Sequence, residues 1–216
     1  MAEWIDSVFY TFDNSILTGF NNLAVNMGGR LTPLFLFITF FGEKGLFFLI
    51  LSVFLTLFRK TRFAGFTMLL AIGIGFLFTN VIIKNAVQRI RPYDASEVYK
   101  NFHSFVGGRD ESEFSFPSGH ATVSMATMFA MFLTTNKKWS WLGLLLSFLV
   151  GISRIYLVVH YPTDVIFGLI VGSLSAMISF FVIKGVKKII LSNSEKTFCR
   201  YFLSFDIIDV FRKKNR

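Results

Sequence analysis

The feature that most constrains this chain is a run of 21 residues, Phe63–Ile83, that contains no charged side chain. As an α-helix this run would be about 31 Å long, which matches the hydrocarbon core of a bilayer. Two similar runs, Trp139–Val159 and Thr163–Ile183, carry one charged residue each, close to an end of the run. The sequence therefore predicts an integral membrane protein built from helices.

The composition agrees with this prediction and excludes other classes of protein. Of the 216 residues, 53% are hydrophobic and 16% are charged, whereas soluble domains carry about 25% charged residues. A disordered chain, a coiled coil and an ordinary cytosolic enzyme are therefore excluded. The single cysteine, Cys199, excludes an intramolecular disulfide and cannot build a cysteine-based metal cluster.

Two shorter segments decide how many spans the chain contains. Residues 118–135 are long enough to span the bilayer with a slight tilt, and we prefer Glu43–Phe58 as the first span. A straight helix over residues 31–58 would place two charges near the middle of the bilayer, which is costly. We therefore expect an all-α, polytopic membrane bundle of five or six spans that forms one domain. Its parts are an interfacial or re-entrant segment at residues 1–42, the bundle at 43–191, and an amphipathic basic tail at 192–216.

The distribution of charge predicts how the bundle is oriented. Segments 59–62, 136–138 and 184–216 fall on one side and hold 14 of the 22 Lys and Arg residues but only three of the 13 acidic residues. The positive-inside rule makes this side cytoplasmic. The formal net charge of +9 is thus explained by topology, and no nucleic-acid partner is expected. The multi-pass chain is expected in the plasma membrane.

Three polar clusters lie at the predicted ends of spans on the opposite face. They are Lys84–Pro92, Pro117–His120 and Ser153–Asp164. Taken alone, each has an ordinary structural explanation, such as interfacial cations or the N-cap of a helix. Together they bring cations, a helix N-terminus and two of the three histidines to one side, which is the composition of an anion site. We also expect one helix to direct both Lys84 and Arg91 toward a common point, since the two residues are about two turns apart.

The motifs K-x6-R-P, P-S-G-H and S-R-x5-H-x3-D resemble, in their order and spacing, the three-part signature of the type 2 phosphatidic acid phosphatase superfamily. The match spans Lys84–Asp164 and is complete at every signature position. The resemblance implies a helical core like that of bacterial acid phosphatases and vanadium haloperoxidases. The size and layout resemble small bacterial membrane phosphatases that act on undecaprenyl diphosphate or phosphatidylglycerol phosphate.

The resemblance and the chemistry of phosphoryl transfer together imply a role for each signature residue. His160 would be the nucleophile that forms a phosphohistidine, and Asp164 would hold its other ring N–H. His120 would protonate the leaving oxygen and then activate water. No metal and no other cofactor are expected, because the cations neutralise the phosphoryl oxygens. The phosphate-binding residues would be Lys84, Arg91, Ser118, Gly119 and Arg154.

The long outer loop at residues 93–116 matches no part of the signature. It carries His103, which stays unassigned. Its phenylalanines either cover the site and contact the lipid head group or pack on the surface; they are Phe102, Phe105, Phe114 and Phe116.

The leading hypothesis is a lipid phosphatase that hydrolyses undecaprenyl diphosphate at the outer membrane face, with the lipid substrate and the bilayer as its partners. A phosphatidylglycerol-phosphate or phosphatidate phosphatase is the second hypothesis, because the signature reads the phosphate and not the tail. A lipid phosphotransferase that uses the same phosphohistidine is a third. The intact signature disfavours a transporter or an inactive scaffold, and the membrane-embedded chain disfavours a vanadium peroxidase.

Overall fold

A computed structural model describes residues 1–209, and these residues form helices joined by short turns and loops. The eleven α-helices are numbered in chain order, and a π-helical stretch at Leu77–Ile83 joins the fourth to the fifth. They are α1 (Ala2–Asn26), α2 (Thr32–Phe40), α3 (Leu46–Thr56), α4 (Arg62–Phe76), α5 (Lys84–Val87), α6 (Pro92–Ala95), α7 (Glu97–Phe105), α8 (Gly119–Thr134), α9 (Lys137–Tyr156), α10 (Pro162–Ser192) and α11 (Thr197–Ser204).

Helix α8 lies at the centre of a bundle and packs against α4, α9 and α10. Two glycines of α10 allow its backbone to approach α8 closely. A Cβ atom on Gly168 would lie 2.6 Å from the carbonyl oxygen of Ser118, and one on Gly172 would lie 2.5 Å from that of Thr122. Such small-xxx-small spacing is a common way to bring membrane helices together. The spacing therefore holds the beginning of α8 firmly against α10.

Within residues 1–209, four helical segments are long and apolar enough to cross a membrane. The central helix α8 has 16 residues and lies among them. The predicted all-α, polytopic membrane bundle is confirmed. The four segments are Thr32–Thr56, Arg62–Ala95, Lys137–Tyr156 and Pro162–Ser192.

The first candidate span begins with α2 at Thr32, whereas the sequence predicted that this span begins at Glu43. Helices α2 and α3 are joined by a 3₁₀ turn in which Lys44 has a φ of 47° and Gly45 a φ of 67°. Left-handed residues break the helix at this turn. Glu43 and Lys44 therefore line a cavity instead of lying on a straight helix in lipid. The two charges are therefore not placed in the middle of a straight membrane helix, because the helix is broken where they occur.

The N-terminal helix α1 packs against α9 and α10 and buries a stripe of side chains that includes Asp13. An interfacial or re-entrant position for residues 1–42 stays a prediction, but the burial of Asp13 ties this helix to the bundle.

At the other end of the bundle, α11 lies beside the start of α4. The Arg62 guanidinium donates hydrogen bonds to the backbone carbonyls of Phe202 and Phe205. Phe198 and Tyr201 of α11 are exposed, as an amphipathic tail requires. The predicted tail extends to residue 216, and residues 210–216 lie outside the described part of the chain. Contact of the tail with the inner leaflet stays a prediction.

Candidate active site

Four helix ends meet around a cavity of about 530 Å³. The end of the π-helical stretch brings Lys84, the start of α8 brings Gly119 and His120, and the turn between α9 and α10 brings His160. Asp164 lies one turn into α10, directly behind His160. The structure thus brings all three sequence clusters to one place.

The predicted single helix carrying both Lys84 and Arg91 was wrong. Helix α5 ends at Val87, and Gln88 takes a left-handed conformation with a φ of 54°. The chain then runs without helical structure to Arg91, which has an extended backbone, before Pro92 starts α6. Lys84 and Arg91 still converge, but through a break in the helix and not through helical periodicity.

The three cations of the signature are buried and ion-paired with carboxylates of the loop between α7 and α8. Lys84 pairs with Glu113, while Arg91 and Arg154 share Glu111. The Arg91–Glu111 contact joins Nη2 to Oε2 at 2.7 Å. Glu111 therefore bridges the two arginines expected to bind phosphate.

Hydrogen bonds to other groups fix both guanidinium groups. Arg91 donates from Nη1 to the carbonyl of Val159 at 2.7 Å and from Nε to the carbonyl of Glu113 at 2.8 Å. Arg154 donates from Nη1 to Oγ1 of Thr39 at 2.7 Å. Because their positions are set by buried partners, the arginines are ready to bind an anion without rearranging.

His160 lies between Arg91 and Asp164. Its Nε2 is 3.4 Å from Nη1 of Arg91, and its Nδ1 is 3.5 Å from Oδ2 of Asp164. An arginine only donates hydrogen bonds, so Nε2 is the acceptor and Nδ1 carries the proton that faces the carboxylate. Burial, together with the charges of Arg91 and Arg154, lowers the pKa of His160 well below its usual value. The ring is therefore neutral at neutral pH, with the lone pair of Nε2 on the side of Arg91.

The start of α8 forms the opposite wall of the cavity. His120 Nε2 is buried and has no hydrogen-bond partner among residues 1–209. The backbone of Gly42 fixes the position of this ring, since a Cβ there would lie 2.6 Å from Cδ2 of His120. A Cβ on Gly119 would have no protein atom closer than 3.8 Å, because this residue borders the cavity. A group bound in the cavity can thus approach the backbone at Gly119.

Ser118, one of the predicted phosphate-binding residues, also caps a helix in this structure, and its contact with phosphate stays a prediction. Its hydroxyl accepts a hydrogen bond from the backbone N–H of Ala121 at 3.4 Å and caps α8. Its own N–H donates to the carbonyl of Asp164 at 3.0 Å. These contacts fix the start of α8 against that of α10.

Sequence reasoning missed the acidic segment 110–113 that covers the cavity. Glu113 also accepts a hydrogen bond from Asn80 at 2.9 Å, and the hydrogen bond from Lys84 lowers the pKa of its carboxyl. The run Asp110-Glu111-Ser112-Glu113 beside a predicted cation cluster was the available signal. Among the described residues that line the cavity there is none of the four phenylalanines considered as a cover. Phe102 is in the core, Phe116 packs on Phe167 with ring centroids 5.0 Å apart, and Phe105 and Phe114 are exposed.

His103, near the end of α7, makes structural contacts. Its ring stacks on Tyr93 with centroids 4.3 Å apart, and its Nδ1 lies 2.8 Å from the carbonyl oxygen of Leu157. Asp110 contacts the other ring nitrogen at 3.3 Å. His103 thus links α7 and the acidic segment to the turn that carries His160.

A family model described as the PAP2 superfamily matches residues 64–187. The match covers more than half of the chain and includes all three clusters. The chain belongs to the PAP2 superfamily. It is a multi-pass membrane lipid phosphatase, and the predicted family is confirmed.

Relatives of known name share most of the chain with this protein. It is 29% identical to an undecaprenyl-diphosphatase of Sulfolobus acidocaldarius, over 74% of each chain. It is 33% identical to phosphatidylglycerophosphatase B of Bacillus subtilis, over 80% of this chain and 74% of the relative. The crystal structure of a transmembrane PAP2-type phosphatidylglycerolphosphate phosphatase from Bacillus subtilis superposes with a TM-score of 0.57 and 29% identity. That superposition covers 81% of this chain and 86% of the other.

Proposed function

We propose that this PAP2 phosphatase hydrolyses undecaprenyl diphosphate to undecaprenyl phosphate and inorganic phosphate at the outer face of the plasma membrane. The observation that carries the proposal is a cavity with Lys84 and the proposed nucleophile on one side and an apolar wall on another. Lys84 and His160 line one part of the cavity, while Leu49 of α3 together with Ile72 and Phe76 of α4 lines another. Such a cavity suits a long apolar tail whose phosphate end meets charge.

Binding begins with an exchange of anions. The diphosphate displaces the carboxylates of Glu111 and Glu113 and takes their hydrogen bonds from Lys84, Arg91 and Arg154, with the terminal phosphate on the two arginines beside His160. Backbone N–H groups at the start of α8 add donors where the helix dipole favours negative charge. The two arginines suit this exchange because a guanidinium binds carboxylate and phosphate oxygens in the same geometry.

The chemical step places the terminal phosphoryl group on His160. Nε2 attacks phosphorus, a bond forms between them, and the bond from phosphorus to the bridging oxygen breaks. His120 donates a proton to that oxygen, and undecaprenyl phosphate leaves. Asp164 faces Nδ1 of His160 and stabilises the positive charge that develops on the ring.

Hydrolysis of the phosphohistidine regenerates the enzyme. His120, now neutral, takes a proton from a water molecule as the water oxygen attacks phosphorus. The bond from phosphorus to Nε2 breaks, inorganic phosphate leaves, and both histidines return to their starting states. The three cations stabilise charge on the phosphoryl oxygens in both steps.

Two carboxylates held on separate cations support a diphosphate substrate. Glu111 lies on Arg91 and Arg154 beside His160, while Glu113 lies on Lys84 and Asn80. Two anionic groups thus fit in the cavity side by side. Phosphatidylglycerol phosphate is the second candidate, and it is favoured by the name of the Bacillus subtilis relative.

The decisive experiment measures phosphate release by the purified protein from undecaprenyl diphosphate, phosphatidylglycerol phosphate and phosphatidate in the same detergent. We expect kcat/KM to be at least about tenfold higher for the diphosphate, with inhibition by vanadate and full activity in EDTA. A higher value for phosphatidylglycerol phosphate would replace the first candidate with the second. Faster turnover on adding a lipid alcohol, with transfer of phosphate to it, would instead indicate a phosphotransferase.

The outward orientation is tested by thiol labelling of intact cells. Cys199, in the basic tail, is the single cysteine of the chain, and we expect a membrane-impermeant maleimide to label it only after permeabilisation. The matched variant carries Cys199→Ser and Lys100→Cys, which moves the thiol to exposed α7 near the site. Labelling of this variant in intact cells is expected, and the reverse pattern would overturn the orientation.

A further inference from the structure

A fourth buried cation, Arg89, lies next to the signature residues but belongs to a different set of contacts. Its side chain is 1% exposed, and it lies two residues before Arg91 in the chain. Its Nη1 donates to Oδ1 of Asp164 at 2.6 Å and contacts Oγ1 of Thr163 at 2.8 Å. Arg89 contacts Oδ1 of Asp164, whereas His160 faces Oδ2. Arg89 therefore contacts the orienting carboxylate on the oxygen that does not face the nucleophile.

The other side of Arg89 is held by α1. Its Nη2 donates to Oδ2 of Asp13 at 2.8 Å, and its Nε donates to Oδ1 of Asp6 at 2.8 Å. Asp13 is buried, and it also accepts hydrogen bonds from the backbone N–H and the hydroxyl of Thr163 at 2.9 and 2.7 Å. The guanidinium carbon lies 3.8 Å from the ring centroid of Tyr161.

These contacts divide the two oxygens of Asp164 between two tasks. Oδ1 is taken by Arg89. Oδ2 accepts from the Ser115 hydroxyl and from the Tyr161 backbone N–H at 2.9 Å, and it faces His160. A carboxylate with no exposed surface stays ionised only if it is paired with a cation and hydrogen-bonded. Arg89 is its charged partner, and Asp13 holds Arg89 in place.

We propose that Arg89 and Asp13 are positioning residues that hold Asp164 ionised and directed at His160, so that α1 is part of the catalytic unit. The inference rests on the proposed roles of His160 and Asp164. Without Arg89, Asp164 would lose its charge partner and the hydrogen bond to Oδ1, and only the hydrogen bonds from Ser115 and Tyr161 to Oδ2 would hold it. Without Asp13, Arg89 would lose the anchor that connects it to α1.

A double-mutant cycle tests whether Arg89 acts through Asp164. We expect Arg89→Gln to lower kcat by about 10- to 100-fold with KM changed less than threefold, since all donors of Arg89 are directed at Asp164, Thr163 and the two aspartates of α1. In an Asp164→Asn background, where the charge to be held is gone, the same change should lower kcat by less than threefold. Equal effects in the two backgrounds would overturn the proposal. If Asp164→Asn alone kept full activity, the proposed site itself would be wrong.

A matched pair of variants on α1 tests the role of that helix. Asp13→Asn keeps the size of a buried residue and removes its charge, and we expect kcat to fall about tenfold with KM preserved. Asp6→Asn alters the exposed partner of the same guanidinium, and we expect kcat to change less than twofold. Thermal unfolding in detergent establishes that each variant is folded, and Arg89→Lys should retain more of kcat than Arg89→Gln. Activity of Asp13→Asn within twofold of wild type, or a loss confined to KM, would overturn the role of α1.

Discussion

Arg89 and Arg91 lie two residues apart in one non-helical segment, yet they form two opposite kinds of ion pair. Arg89 pairs with Asp13 and Asp164, whose side chains are 3% and 0% exposed, while its third partner, Asp6, is 43% exposed. Arg91 pairs with Glu111 of the outer loop, whose side chain is 28% exposed and lines the cavity. We call the ion pairs of Arg89 the fixed set, and the ion pairs of Lys84, Arg91 and Arg154 with the loop carboxylates the exchangeable set. The comparison teaches that two equally buried arginines differ through their partners: carboxylates buried between helices hold Arg89 in place, whereas the carboxylate on Arg91 lies in the cavity where a substrate anion can replace it.

The largest effect is expected at His160, which lies between the two sets. His160→Ala removes the proposed nucleophile and leaves both sets of arginines intact. We expect phosphate release to fall by at least about 10⁴-fold, as nucleophile removal does in other enzymes. The measurement is release from the preferred lipid phosphate, together with acid-labile labelling of the protein by radioactive substrate.

Lys100→Ala, on exposed α7, is the control for His160→Ala and should keep wild-type activity. Appreciable turnover without His160, or labelling that survives in His160→Ala, would show that the nucleophile is another residue. The fixed set of ion pairs would then have a purely structural role.

The second prediction concerns the planar donor geometry of Arg91, a cation of the exchangeable set. Arg91→Lys keeps the positive charge but loses the planar pair of donors that contacts two oxygens at once. We expect kcat to fall by about 10²- to 10³-fold, since each aligned donor to transition-state charge contributes about this factor. Steady-state kinetics and vanadate inhibition measure it, with Arg59→Lys at the other end of the bundle as control. A loss below threefold would mean that Arg91 supplies charge alone.

The sequence could identify the cations of the exchangeable set, but neither their loop carboxylates nor the fixed set around Arg89. Lys84, Arg91 and Arg154 belong to motifs whose spacing is diagnostic, so their convergence was predictable. Asp6 and Asp13 are isolated acids in a segment of mixed polarity, and no local pattern indicates that α1 brings both of them to Arg89. Such a contact depends on tertiary packing between residues far apart in the chain, which spacing does not encode.

The geometry of single segments was also beyond sequence reasoning. Helical periodicity placed Lys84 and Arg91 on one helix, but Gln88 takes a left-handed conformation that its residue type does not require. The break at Lys44 and Gly45 was easier to anticipate, because the glycine and the two charges were visible. Local propensity is a weak guide where tertiary contacts decide the backbone.

A moderate effect is expected from the loop carboxylate that occupies the exchangeable set. Glu111→Gln removes the charge that competes with phosphate for Arg91 and Arg154. We expect vanadate to inhibit at about tenfold lower concentration, a difference of about 1.4 kcal/mol in binding free energy. Inhibition curves for purified wild type and variant provide the measurement.

Glu97→Gln is the matched control for Glu111→Gln, since Glu97 is exposed on α7 and pairs only with Lys100. Its vanadate inhibition should equal that of wild type. Unchanged or weaker inhibition of Glu111→Gln would mean that the carboxylate positions the arginines and does not compete with substrate. The two sets of ion pairs would then be of the same kind.

The smallest effect is expected from pH. His160 attacks in its neutral form, and burial beside Arg91 and Arg154 lowers its pKa. A lowered pKa means that His160 stays neutral as pH falls through 6.5, where an ordinary histidine becomes half protonated. We therefore expect kcat, measured at saturating substrate, not to fall by more than about twofold between pH 7.5 and pH 6.0, whereas a rise is compatible with His120 acting as the general acid. A fall in kcat centred near pH 6.5 would indicate a nucleophile of ordinary pKa. The charges of Arg91 and Arg154 would then be too weak to lower the pKa of His160.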